Sequence, residues 1–269
     1  MLLYHIIILS IIQGITEFLP VSSSGHLVLT HYLMGNGSTD LCWETNRLMD
    51  VAVHVGTLLS VLVYFYKDIF NMLAGLTNAK SDGFKMGLNI VVASIPVVIA
   101  GLLLNLWQPS FLCLVQVMAW TMLIFGIILW FADKQDVTQP LEKMTLKQSF
   151  LVGLSQMLAL IPGVSRSGIT MTSARFLGFS RVDAARFSLL LSIIAISGAG
   201  ALTSLSLLDE PNLDLGADVL MAVVLSFIAG WISIALMMRW LSKASFKPFV
   251  IYRVVLGLVL LGLIYGGVI

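Results

Sequence analysis

Two stretches decide how this chain folds: Gln13-Gly14-Ile15-Thr16-Glu17-Phe18-Leu19-Pro20-Val21-Ser22-Ser23-Ser24-Gly25-His26 and Pro162-Gly163-Val164-Ser165-Arg166-Ser167-Gly168-Ile169-Thr170. In the first, Gln13 and Glu17 share one helix face by their four-residue spacing. Pro20 should end that helix, leaving three hydroxyls and an imidazole in the turn that follows. In the second, a Gly-rich turn gathers hydroxyls around the guanidinium of Arg166. Glu17 is the only carboxylate between Met1 and Thr39, and Arg166 the only charge between Lys147 and Arg175. Each motif breaks an apolar segment, 3–34 and 148–180. Within a bilayer such broken backbone is tolerated only where it lines a cavity that satisfies its freed amide groups.

The bilayer is implied by composition: 58% of the 269 residues are hydrophobic and 11% charged, which does not suit a water-facing surface. Uncharged runs at 86–107, 111–131, 187–208 and 219–238 are long enough to cross roughly 30 Å of hydrocarbon as helices. Two further spans are expected at 51–66 and 249–269, with Arg253 snorkelling from the start of the last one to the interface. The N-terminus has no basic region or small-residue cleavage site, so no removable signal is read there. Cys42 lies in a polar loop and Cys113 in a span, which indicates neither a disulfide framework nor a thiolate metal site. A net charge of +1 points to no class of partner, nucleic acid included.

Lys and Arg cluster in four places: Lys67, Lys80 and Lys85; Lys134, Lys143 and Lys147; Arg175, Arg181 and Arg186; and Arg239, Lys243, Lys247 and Arg253. By the positive-inside rule these segments are cytoplasmic. Connections carrying Asp40, Glu44, Asp50, Asp209, Glu210, Asp214 and Asp218, with Arg47 as their sole basic residue, then face outward. On this map segments 3–34 and 148–180 each begin and end on one side, the first entering from outside and the second from the cytoplasm. The expected fold is all-α: a single membrane domain over 1–269, with six transmembrane helices and two re-entrant hairpins. Each hairpin precedes three spans, the arrangement of an inverted-topology repeat over 1–133 and 147–269. Aligned without a gap, Gln13 falls on Gln156, Ser22 on Ser165, Ser24 on Ser167, Gly25 on Gly168 and Gly35 on Gly178.

A lone ionisable group at bilayer depth usually faces a cavity and has a partner, and Glu17 and Arg166 on facing hairpins can be each other's. Arg166 suits phosphate oxygens, and helices starting after the turns would aim free N–H groups at the same anion. A serine hydroxyl near His26 could attack phosphorus, with the imidazole as base or acid. Glu17 could orient His26, or hold a divalent cation with Gln13 and the phosphate oxygens. Gln156 precedes the second break as Gln13 precedes the first and is expected to line the cavity. His54, one turn beyond Asp50, is a weaker candidate for support behind the site, and His5 and His31 read as packing or interfacial residues.

Together the two motifs closely resemble the undecaprenyl-pyrophosphate phosphatase family, also called bacitracin-resistance proteins, and the similarity runs along the whole chain. The resemblance implies removal of the terminal phosphate from undecaprenyl pyrophosphate, returning undecaprenyl phosphate to the cell-wall carrier cycle. It also implies dependence on a divalent cation such as Mg or Ca, a homodimer, and a site in the bacterial inner membrane open to the periplasm. Gln13 stands where the family has Gln or an acidic residue, so Glu17 is the only motif carboxylate. The roles expected are phosphate binding by Arg166, proton transfer by His26 and support of His26 or metal by Glu17. Ser23 is the expected nucleophile, with Ser22 and Ser165 close behind it, and Gln13, Ser22, Ser24, Gln156, Ser165, Ser167 and Thr170 are expected to contact substrate. The rival reading is a transporter or flippase of a polyprenyl phosphate lipid, since inverted repeats with broken hairpins also serve alternating access.

Overall fold

The computed structural model describes residues 3–33, 47–107, 109–207 and 216–267. Gly35, Asp40, Cys42, Glu44, Asp209, Glu210 and Asp214 lie outside the described residues, as does the side chain of His31. The described residues form helices and turns, with no strand among them: α1 (Leu3–Thr16), α2 (Ser23–Leu33), α3 (Arg47–Tyr64), α4 (Tyr66–Gly75), α5 (Asp82–Trp107), α6 (Val115–Asp133), α7 (Leu146–Gln156), α8 (Arg166–Phe176), α9 (Arg181–Leu207), α10 (Ala217–Leu241) and α11 (Lys247–Tyr265).

Five of these, α5, α6, α9, α10 and α11, are long and apolar enough to cross a membrane. Only 28% of the apolar window of α5, α10 and α11 is buried inside the protein, so most of each faces hydrocarbon rather than a core. This is a multi-pass membrane protein. The expected span at 51–66 is α3 almost to its end; there α3 and α4 meet at 74°, and the two make a sixth span only if counted together. The bend falls where Tyr66-Lys67-Asp68 ends the apolar run, and the Asp68 carboxylate there is held by the guanidinium of Arg186 on α9. The span expected from 111 begins instead with a 3-10 turn, Ser110–Cys113, ahead of α6.

The connections that carry the basic clusters come together. Arg186 reaches α4, and Arg181 Nε donates to Asp133 Oδ1 at 2.5 Å. The other Asp133 oxygen accepts the N–H of Phe246 at 3.1 Å, just ahead of α11. Buried Arg175 donates to the carbonyls of Phe179 and Gln135. One end of the bundle therefore holds the connections after α3, α6, α8 and α10, the same grouping that the Lys and Arg map requires.

Segments 3–34 and 148–180 are two short helices each, α1–α2 and α7–α8, folded back on a central break. At 14 residues α1 spans about 21 Å, too short to cross hydrocarbon of roughly 30 Å. Each hairpin packs away from its sequence neighbours, α1 on α10 and α7 on α5. The contacts are backbone to backbone. A Cβ on Gly14 would sit 2.8 Å from Ser226 O, and one on Gly153 2.4 Å from Ala93 O, so only glycine allows either approach.

Candidate active site

The two breaks have one conformation. Ser22 and Ser165, aligned in the gapless register, have φ of 75° and 73° and are the only non-glycine described residues with positive φ. In both turns this serine caps the next helix. Ser165 Oγ accepts from Gly168 N at 3.1 Å, and Ser22 Oγ from Gly25 N at 3.4 Å. The next-but-one serine also lies alongside, Ser24 at 3.4 Å and Ser167 at 3.2 Å. The cap and the turn hold a backbone conformation that a non-glycine residue rarely adopts.

The hairpins meet through one ion pair. Arg166 donates to Glu17 Oε1 at 3.1 Å, with the two side chains 13% and 7% exposed. Glu17 Oε2 accepts from Ser23 Oγ at 2.7 Å and from Gln13 Nε2 at 2.9 Å. Arg166 also donates to Ser188 O at 3.0 Å. Lone charges on separate segments are thus side by side, as their residue types required. Removing one member of such a pair strands the other and costs about 3–5 kcal/mol.

A cavity of about 230 Å³ opens over this pair. Glu17, Ser22, Ser23 and Ser24 line it from the first hairpin, Ala159, Ser165 and Arg166 from the second, His54 from α3, and Ala195, Ile196 and Ala199 from α9. Pockets that enclose a whole drug-sized molecule run about 300–1,000 Å³, so this one has room for a headgroup and leaves a long chain in lipid. Both α2 and α8 begin at its wall, where helix N-termini favour an anion.

Not every expected residue reaches the cavity. His26 does not line it: Nδ1 bonds Ser22 O at 2.6 Å and Nε2 bonds the hydroxyl of Tyr252 at 2.5 Å, with the two rings stacked. A ring nitrogen on a carbonyl must carry the hydrogen, so the neutral imidazole accepts at Nε2 and has no nitrogen left for Ser23. Ser167 stitches the hairpins together by donating to Leu19 O at 2.8 Å. Thr170 lies beneath, bonded to Arg166 O and Ser188 Oγ. Gln13 acts through Glu17. Gln156 is fully buried with neither amide atom bonded, and it is absent from the cavity wall.

The largest correction concerns Arg253. Instead of snorkelling it is 0% exposed, and its guanidinium lies under both turns. NH1 donates to Pro20 O at 3.2 Å and NH2 to Gly163 O at 2.9 Å, carbonyls at equivalent positions of the two breaks. Nε and NH2 also reach Met122 O and Thr121 O on α6. Among the described residues no carboxylate pairs with Arg253. The site therefore holds two arginines against one carboxylate, an excess of positive charge suited to an anion. Both His54 and Arg253 carried a signal in sequence as polar groups inside apolar spans, though nothing local told which way they turn.

The residues present do not fit a protein-held divalent ion. Both oxygens of Glu17 accept hydrogen bonds, one from a guanidinium, and among the described residues no second carboxylate lines the cavity. A cation there would displace Arg166 or sit against it. Among the described residues no group of three or more His, Cys, Asp or Glu could hold a metal.

Similarity to known proteins runs along nearly the whole chain. Residues 6–259 match the family model described as bacitracin resistance protein BacA. Three relatives carry the name undecaprenyl-diphosphatase. That of Roseobacter denitrificans is 44% identical over 99% of this chain and 100% of its own. That of Saccharophagus degradans is 45% identical over 97% and 98%, and that of Alteromonas mediterranea 45% over 99% and 100%.

Proposed function

This chain belongs to the BacA family of bacitracin-resistance proteins, and from that premise we infer that it is an integral membrane phosphatase. It hydrolyses undecaprenyl diphosphate to undecaprenyl phosphate and inorganic phosphate. The observation that carries the mechanism is Ser23 Oγ at 2.7 Å from Glu17 Oε2 on the wall of a headgroup-sized cavity. A hydroxyl beside a carboxylate is an activated nucleophile, and Arg166 both holds that carboxylate and faces the anion.

In the mechanism we propose, the terminal phosphate lies against Arg166 and the α2 and α8 N-termini. Ser23 passes its proton to Glu17 as Oγ bonds to phosphorus, and the bond from phosphorus to the bridging oxygen breaks, releasing undecaprenyl phosphate. Water then attacks the phosphoserine, and the bond to Oγ breaks. The serine oxygen recovers its proton from Glu17, inorganic phosphate leaves, and the proton lost by water passes to solvent. His26, tied to Ser22 and Tyr252, holds the turn in place instead of moving protons. No step is routed through a metal.

The same reading places the protein in the bacterial inner membrane as a homodimer, with the cavity open to the periplasm. Supporting that orientation, the basic clusters share one end of the bundle. The paired breaks at Ser22 and Ser165 support an inverted repeat of 1–133 and 147–269. Nothing in the described residues or the relatives' names favours the transport alternative.

The test is phosphate release from undecaprenyl diphosphate by purified protein, with and without chelator, beside Ser23→Ala and Arg166→Ala. Turnover by the wild type with loss in both variants is expected. A folded Ser23→Ala protein that keeps near-normal turnover would replace the serine by attacking water.

A further inference from the structure

Two imidazoles lie near the phosphate cavity, and they are bonded differently. His26 has both nitrogens engaged. His54 bonds only through Nδ1, to Asp50 O at 2.7 Å. That bond fixes the ring and assigns Nδ1 its hydrogen. Nε2 has no bonded partner among the described residues, although His54 lines the cavity beside Ser23 and Arg166 and stands within electrostatic reach of Glu17.

The helix carrying it has little freedom to move. Gly56, two residues on, packs so closely against α10 that a Cβ there would lie 2.3 Å from Val223 O. His54 is therefore presented to the cavity by packed backbone, with one nitrogen unused by the described residues. A ring nitrogen left open at the wall of a site built for an anion is placed to bond that ligand.

We propose that His54 is a further substrate-binding residue, donating a hydrogen bond from Nε2 of its protonated ring to an oxygen of the diphosphate headgroup. Charge-assisted bonds of this kind are among the stronger ones. The role is distinct from that of Arg166, which also holds Glu17 in place, because among the described residues nothing depends on Nε2. It rests on the phosphatase reading only for the identity of the headgroup.

The experiment separates the two. Binding of a non-hydrolysable prenyl methylenediphosphonate is measured by calorimetry on the full-length protein in detergent. KM and kcat for the diphosphate are measured in parallel. His54→Ala should weaken analogue binding and raise KM by about 10- to 100-fold, the loss of one bond to a charged group, with kcat within about threefold. His54→Gln, whose amide can donate over a similar reach, should recover binding to within about threefold of wild type. His54→Phe keeps a ring without a donor and should behave as His54→Ala does, which covers the case of an alanine variant that fails to fold.

Unchanged affinity in folded His54→Ala and His54→Phe proteins would overturn the proposal. So would loss of kcat at unchanged affinity in the alanine and glutamine variants alike, the pattern of a proton-transfer residue. A wild type that binds the analogue but releases no phosphate would refute the phosphatase reading and leave this one standing. A wild type that does not bind the analogue would refute this one.

Discussion

The two hairpins share a backbone and divide the chemistry. At the same offset that pairs Ser22 with Ser165, Glu17 faces Leu160, Ser23 faces Arg166 and His26 faces Ile169. Both turns place a serine at positive φ, cap a helix with it and hand a carbonyl to Arg253. The first then supplies the carboxylate and hydroxyl, and the second the guanidinium. The difference is sharpest at the paired glutamines. Gln13 reaches the carboxylate four residues on, whereas Gln156 has a leucine there and both its amide atoms are buried unbonded. The two turns supply the same geometry twice, and one copy of each reactive group is enough.

The largest effect that would test this division is chemical. Ser23→Ala should lower turnover at least about 10³-fold, as loss of an activated nucleophile does, while Ser165→Ala, its neighbour across the cavity, should keep turnover within about tenfold. Steady-state phosphate release decides between them, and equal losses would break the division.

Next comes the pair that joins the hairpins. Arg166→Leu leaves a buried carboxylate and should cost about 3–5 kcal/mol in denaturant unfolding of the detergent-solubilised protein. Adding Glu17→Gln should restore much of that, since the stranded charge is gone. A double variant no more stable than Arg166→Leu would mean that the pair is not what holds the hairpins together.

The glutamines give a smaller test with opposite signs. Gln156→Leu removes two unsatisfied buried groups and should raise stability by about 1–2 kcal/mol without loss of activity. Gln13→Leu takes a donor from Glu17 and should lower both. Paired melting curves and rates would show it.

Smallest is the exchange of either capping serine for glycine. Ser22→Gly and Ser165→Gly each relieve positive φ and lose a cap, so each should shift stability by less than about 1 kcal/mol, and by similar amounts. Unequal shifts would show that the turns are alike in shape but not in strain.

Much of this was legible in the residues. Gln13 and Glu17 at helical spacing do meet, and Pro20 follows the end of their helix as expected. The lone acid and lone base pair as their cost in hydrocarbon demands. Arg253 apart, the segments that bear the basic clusters meet at one end. Other features were not legible. The 74° turn between α3 and α4 falls at the end of the apolar run, but nothing local set its angle. His26 sits in the conspicuous motif, yet Tyr252, distant in sequence, takes its free nitrogen. His54, in a plain apolar helix, is the imidazole that faces the anion site.

Alone, the sequence determined a helical membrane protein with two broken segments and one opposite charge on each, because the cost of exposing backbone and charge to hydrocarbon is paid residue by residue. Only the tertiary structure decided that Arg253 lies buried under both turns and that His54 rather than His26 points into the cavity. Those outcomes depend on carbonyls and hydroxyls brought in by other helices, and local composition carries no record of them.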